Sequence, residues 1–592
     1  MKKIIWVQKL SLKELIYFLF LSIFWNVEIR YDGYNISTTS KNIINLFRLL
    51  GIQMKLLPVV FPGDKKDVDG STIYYLIYRN MQSTMEIFIQ NHIKEYPTWF
   101  KKMMASYLFN WLDNPYYFIE MVKEELFKSP GVSHEIYVSC YPITEIVKLN
   151  YRQEKFTIKG LFYLKDIRRA ISPFFYLLKI ITYNMFVVKN DRTNIKNIKP
   201  AVWLEYYAPR NLCSMWSPYV KPDGFDLVYY LDRPDTPLTD AAREKSQKDG
   251  FYYIDSRNLF ALGKLKAREI TGIFKHPLMF DPSVPIWVNG FKLRFNILYA
   301  LYRSIYEKYK VKVLIQHQDT SWIQQVQAKA VEDAGGIMIG FHWSWMNGFP
   351  MPFYLAPHHV YFVWGKIIRD FVSANGNTCK YILPSGLWIT ETLNSGNSIN
   401  LPAGIDFILA VIDSDVRHDL WQTPETLSRF YLLVTKLLHA NKSWAAIIKS
   451  KNYELEGFRE LPDGDLIVDK LFALEKEKRI LILSPNCNPQ VASAKADLTV
   501  CYGFQTGGVL PGVHGYRTIM WDVAGWLKQP LYQDKEQKIL FGTLNGIEDA
   551  IYAYYKGRKD IGDFSKWSLS VNYFNDLLGP QRIGHFIQNF MD

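Results

Sequence analysis

Short apolar runs, most of them closed by a glycine, an aspartate or a lysine and separated by stretches of helical spacing, dominate the second half of the chain. Runs at 312–315, 336–340 and 360–364 alternate with a helical pattern over Trp322–Asp333. A polar segment with two glycines and a proline, residues 392–405, interrupts the series. It then resumes at 407–412, 444–448, 479–483, 496–500, 518–521 and 538–541, with helical patterns near 424–440 and from 547. Apolar strands separated by helices predict an α/β protein with parallel sheets. The pattern is less regular upstream, where strands are expected at 135–139, 201–206, 226–231 and 251–255. Residues 37–51 carry a cap, a helical apolar spacing and a glycine stop. Residues 72–130 are rich in Phe, Tyr, Trp and Met at helical spacing and predict a helical insertion. The expected organisation is an N-terminal Rossmann-like domain over 1–391 containing that insertion, a linker at 392–405, and a C-terminal Rossmann-like domain over 406–592.

Composition fits a globular protein: 592 residues, 48% hydrophobic and 21% charged, enough for several full cores. The net charge of +13 favours acidic partners such as nucleotide phosphates or anionic headgroups. No Lys/Arg run, zinc-finger spacing or recognition-helix pattern accompanies that charge, so nucleic acid is not an expected partner. Five scattered cysteines without metal-ligand spacing suit reduced thiols in a cytosol. The apolar run at 15–25 is shorter than a spanning helix, and no small-residue cleavage site follows it. It reads as a buried element of the first domain, or as a segment lying on an anionic membrane surface. The expected location is the cytoplasm, including the inner face of its membrane.

Open parallel sheets bind ligands beyond the carboxyl ends of their strands, where strand order reverses. In the C-terminal half the polar residues at such ends are Asp413, Ser414, Lys449, Lys451, Gly503, Gln505, Thr506, Gly507 and Asp522. In the N-terminal half they are Glu205, His317, Asp319, His342 and Gly365. The densest candidate is the stretch 497–522, DLTVCYGFQTGGVLPGVHGYRTIMWD, a strand, a glycine-rich turn and a second strand. Such a turn can point N–H groups at an anion, and glycine also serves plain turns. Asp319 reads equally as a helix N-cap before Trp322, and His317 as a loop histidine bonded to backbone. His358 and His359 read as structural. Asp413-Ser414-Asp415 has the spelling of a metal pair but sits in the C-terminal half, so no metal or cofactor is expected.

The terminal segment AKADLTVCYGFQTGGVLPGVHGYRTIMWD, with the 336–342 and 356–366 stretches around His342 and the Trp364-Gly365 pair, resembles the GT-B glycosyltransferase superfamily. Within it the pattern is most similar to enzymes of bacterial surface-polysaccharide biosynthesis. The resemblance spans residues 300–560 and implies two Rossmann-like domains facing a cleft. It implies a donor site for a nucleotide sugar built from Lys449, Gly503, Gln505, Thr506, Gly507, Arg517 and Asp522. Asp319 or His317 would serve as base toward a lipid-linked or polysaccharide acceptor, with His342 orienting donor or acceptor. The stretch departs from the family in lacking acidic residues between Asp497 and Asp522, and Pro511 implies a shortened or broken helix. A sugar-nucleotide epimerase, a glycerophosphate transferase and a non-catalytic polysaccharide-assembly protein are the alternatives.

Overall fold

A computed structural model describes residues 3–7, 17–18, 27–31, 44–45, 53–56, 73–127, 132–138, 143–148, 151, 156–160, 175, 178, 199–206, 216–231, 244, 251–255, 265, 270–273, 281–316, 322–342, 356–374, 379–387, 404–416, 422–485, 487–525, 530–533 and 538–592. Among them lie three sheets, and every strand pair in them is parallel. The α/β architecture is the one the sequence predicts, with one sheet more than expected.

The first sheet contains β1 (Lys3–Val7), β2 (Val27–Tyr31), β3 (Gln53–Leu56), β4 (Ser133–Val138) and β5 (Thr157–Gly160), in the order β3-β2-β1-β4-β5. The helices expected over 72–130 are present as α1 (Ile73–His92) and α2 (Thr98–Phe127). They are not an insertion into the following domain. They form the crossover from β3 to β4, two parallel strands of one sheet that a tight hairpin could not join. Ile4 and Trp6 face Met81, Met85, Met103 and Ile119 in one core, so the aromatic and methionine stripe is packing. A short α3 (Ile143–Lys148) follows β4.

The second sheet takes β6 (Ala201–Tyr206), β7 (Asp226–Leu231), β8 (Phe251–Asp255), β9 (Val311–Gln316), β10 (Ile337–Phe341), β11 (Val360–Val363) and β12 (Tyr381–Pro384). Its order is β12-β11-β10-β9-β6-β7-β8, with α4 (Ile286–Lys308), α5 (Trp322–Asp333) and α6 (Lys366–Ala374) among its helices. Helix α4 packs on the first unit through aromatic pairs, Phe88 on Trp287 at 5.4 Å and Trp99 on Phe295 at 5.0 Å between ring centroids. Buried Lys292 donates to Tyr96 Oη (2.7 Å), which in turn donates to Asp281 (2.7 Å), pinning the α1–α2 turn to the start of α4.

The third sheet holds β13 (Phe407–Ile412), β14 (Trp444–Lys449), β15 (Ile480–Ile482), β16 (Leu498–Tyr502), β17 (Thr518–Trp521) and β18 (Leu540–Phe541). Its helices are α7 (Pro424–Ala440), α8 (Gly464–Lys476), α9 (Pro489–Ser493), α10 (Thr506–Val513) and α11 (Leu544–Tyr555). The order β15-β14-β13-β16-β17-β18 reverses between β13 and β16. It is a doubly wound sheet with its ligand crevice expected at that reversal. FILAVI and WAAIIK are buried on both faces almost throughout, as strands covered by helices on both sides must be.

Helices α12 (Ser568–Val571) and α13 (Gly579–Met591) leave the third sheet and pack on the second. Tyr573 N–H donates to the Trp364 carbonyl (2.8 Å), and Leu387 N–H to Asn572 Oδ1 (3.0 Å). Arg582 donates to the Ser385 carbonyl (2.9 Å), and Lys221 N–H to Gln588 (2.7 Å). A side chain at Gly365 would collide with the backbone of Ser570 and Val571. The linker expected at 392–405 lies outside the described residues up to 403. No helix among the described residues is long and apolar enough to cross a membrane.

Candidate functional site

The reversal in the third sheet gathers the ends of β14, β13, β16 and β17 along one edge. Lys449 closes β14, Asp413 follows β13, Gly503 follows β16 and Asp522 follows β17. The sheet thus brings Lys449, Gly503, Gln505, Thr506, Gly507 and Asp522 to one edge. It does not bring Arg517 there. Arg517 precedes β17 at the amino edge, where its carbonyl accepts from Thr499 N–H and its guanidinium pairs with Asp563 at 2.7 Å. A four-residue strand separates the two edges by roughly 13 Å.

Gly503 has φ +82°, a left-handed conformation open to glycine and costly for other residues. Space demands glycine there too, because a Cβ would overlap Gln422 Nε2. After this turn Gln505 is extended and α10 begins at Thr506. Gln505 folds its side chain back, donating to the Tyr502 carbonyl (2.9 Å) and to Cys501 Sγ (3.4 Å). Only Gln505, Thr506 and Gly507 are half-exposed, and the turn around them is buried. What this segment offers a ligand is therefore its backbone at a helix start, with the partial positive charge such a start carries.

Gly507 and Gly508 serve closeness rather than turning. A Cβ on Gly507 would stand 3.0 Å from Ile412 Cγ2, and one on Gly508 would stand 2.7 Å from Met520 Sδ. Pro511 lies inside α10 without breaking it, since His514 N–H still reaches the Leu510 carbonyl. The helix is short, two turns, as its proline implies. His514 sits at its end, with Nδ1 2.7 Å from the Leu510 carbonyl oxygen.

Asp413 is the most constrained charge at the edge. Its carboxylate accepts from Tyr431 Oη (2.8 Å) and from Lys451 N–H (2.6 Å), and buried Lys449 adds its charge nearby. Burial pushes the Asp413 carboxyl up to about 6, against the pull of Ser450, the Lys451 N–H, Tyr431 and Lys449. The group holds the β13 and β14 ends together. Its folded value lies above the ordinary 3.8, so the native state binds this proton more tightly than the unfolded chain does. That contribution is complete below about pH 4 and is lost as pH rises through 6, roughly 3 kcal/mol in all. Asp413→Asn is expected to remove this slope and to be the more stable protein at pH 7. Urea unfolding of both proteins at pH 4.5 and 7 checks it.

Asp522 is buried and bonded, accepting from Ala524 N–H (3.1 Å) and Tyr532 Oη (3.0 Å). It shapes the β17 exit. In the second sheet, His342 is fully buried after β10, its ring 4.3 Å from that of Trp364. His317 and Asp319, which follow Gln316 in sequence, lie outside the described residues. His358 approaches the Gln316 carbonyl at 2.8 Å and fills the space above Gly340, and His359 accepts from Met338 N–H (2.9 Å). Both hold strand ends in register.

The sequence reading missed Gln422, Thr426 and Tyr502. Thr426 Oγ1 and Tyr502 Oη are 2.5 Å apart, and Tyr502 donates to the Thr423 carbonyl at 3.3 Å, tying the start of α7 to the end of β16. Thr423-Pro424 marks a helix start in sequence, but nothing in it shows which strand that start will meet.

No family model matches the chain, and no curated protein matches it. Among solved structures, the glycotransferase of kitacinnamycin aligns at 11% identity over 66% of this chain and 98% of its own, with a TM-score of 0.39. A UDP-N-acetylglucosamine 2-epimerase aligns at 12% over 66% and 95%, TM-score 0.40. The lipopolysaccharide outer core galactosyltransferase WaaB aligns at 9% over 66% and 99%, TM-score 0.40. At these values no activity passes from them to this chain. The chain's own strand order establishes an α/β protein with three parallel sheets, the third presenting a glycine turn and a helix start at its reversal.

Proposed function

We propose that this protein is a metal-independent glycosyltransferase that moves a sugar from a nucleotide-activated donor to a lipid-linked or polysaccharide acceptor. The observation that carries the proposal is the third-sheet reversal, where Gly503, the half-exposed start of α10 and buried Lys449 share one edge. Gly503 makes the turn, and the helix start and Lys449 supply donors and positive charge, which suits the diphosphate of a nucleotide sugar. Asp319 or His317 takes the proton of the acceptor hydroxyl as that oxygen attacks the anomeric carbon. The bond from that carbon to the diphosphate oxygen breaks, and the helix start and Lys449 stabilise the charge that leaves with the nucleotide. Gln505, Thr506 and Gly507 contribute backbone N–H groups, Asp522 shapes the exit from β17, and His342 orients donor or acceptor. Arg517 takes no part. The net charge of +13 suits work beside an anionic membrane, where a lipid-linked acceptor would lie.

Thermal shift with UDP, GDP, ADP and CDP tests the donor half. At least one at 1 mM is expected to raise Tm by several degrees, in line with mass action at ten- to a hundredfold excess over Kd. No stabilisation by any of them sinks the reading.

A further inference from the structure

We propose that Gln422 is a diphosphate ligand, its side-chain amide nitrogen donating to a phosphoryl oxygen of the nucleotide seated at the start of α10. The inference rests on the donor-binding reading above and extends it to a residue outside the glycine turn. Gln422 precedes Thr423, the N-cap of α7, and is 9% exposed. Its Nε2 is buried and makes no hydrogen bond. Few buried amide donors are left in that state, because each loses its water without replacement.

The neighbouring groups explain why the protein offers it no partner. The Tyr502 carbonyl accepts from Gln505, and the Thr423 carbonyl accepts from Tyr502 Oη and Leu427 N–H. The side chain is also held in place. Its Nε2 lies against Gly503, where only the lack of a Cβ leaves it room, and the Thr426–Tyr502 pair fixes the α7 start beneath it. Three residues beyond Gly503 begins α10, whose first turn adds backbone N–H groups. An amide NH₂, a helix start and a lysine bring donors and positive charge to one edge. A nucleobase edge is neutral and mixes donors with acceptors, whereas phosphoryl oxygens are negative and only accept. The group that matches is the diphosphate.

The experiment measures Kd of the full chain for UDP, GDP, ADP, CDP, the matching nucleosides and pyrophosphate, alongside the Tm of the empty protein. Gln422→Met keeps the length and removes the amide. Gln422→Glu keeps the shape and replaces the donor by a negative charge. The tightest-binding diphosphate is expected to bind the Met variant at least tenfold more weakly and the Glu variant more weakly still, with nucleoside binding unchanged. The empty Met variant is expected to melt at or above the wild-type temperature, because the stranded donor is gone. Diphosphate binding equal to wild type in either folded variant overturns the proposal. If no diphosphate binds the wild type, the donor-site reading fails and this inference falls with it.

Discussion

Lys449→Met is expected to reduce sugar transfer by two to three orders of magnitude and to destabilise the protein by about 1–3 kcal/mol. Adding Asp413→Asn is expected to restore the stability and not the transfer. The two effects have separate origins. Lys449 ends β14 in a buried position, and its charge helps hold the ionised form of Asp413, a carboxylate with no exposed surface to share with water. Without it the carboxylate keeps Tyr431, Ser450 and the Lys451 N–H, so the loss is smaller than that of a directly paired buried ion. Asparagine at 413 removes the charge that needed compensation. Transfer depends on a different property, a fixed cation beside the diphosphate as negative charge builds there. Urea unfolding at pH 7 and initial rates with the donor, on wild type, both single variants and the double variant, separate the two. If the double variant recovered transfer, Lys449 would be a structural lysine only.

The second large effect is expected at Gly365, far from the donor edge in sequence. Gly365→Val drives a branched side chain into backbone atoms of Ser570 and Val571. No rotamer relieves a clash with backbone, so α12 and the segment after it must lift from the second sheet. That motion breaks the Tyr573–Trp364 and Asn572–Leu387 bonds. The expected cost is about 3 kcal/mol or more, with residues beyond 565 becoming open to limited proteolysis. Gly404→Val is the matched control. Gly404, unlike Gly365, has a positive φ, +90°, and nothing stands within 4 Å of its Cβ direction, so only backbone strain of about 1–2 kcal/mol is expected. Equal proteolysis of the two variants would show that α12 is not held at Gly365.

The third sheet was legible because its strands are continuous apolar runs with abrupt polar ends. Reading where FILAVI and WAAIIK stop already placed Asp413 and Lys449 at one edge. The same logic, carried one step further, excludes Arg517, because it precedes its strand instead of following it. Of the first sheet only β4 was legible. VEIRY and QMKL interrupt their apolar positions with Glu28, Arg30 and Lys55, charges that read as surface. In the fold Glu28 is buried and balanced by Arg30 of its own strand at 2.9 Å and by Lys55 of β3 at 3.2 Å, and no local pattern announces the second partner. Helices α1 and α2 were legible as helices, but their apolar faces do not say which sheet they cover. Gln422 was invisible for a different reason. Its significance lies in a missing partner, and only the folded surroundings of Gly503 show that.

The contacts that α12 and α13 make with the second sheet also set an order of events during synthesis. The ends of β11 and β12 lack their covering groups until Asn572 and Tyr573 arrive, roughly 185 residues after Leu387. At ordinary elongation rates of about 5–20 residues per second, that is a delay of roughly 10–40 s. Throughout it the second sheet waits on the ribosome with an apolar rim around Trp364 and Leu387 uncovered, in reach of chaperones and of neighbouring nascent chains. The third sheet, which closes at β18, has no such wait.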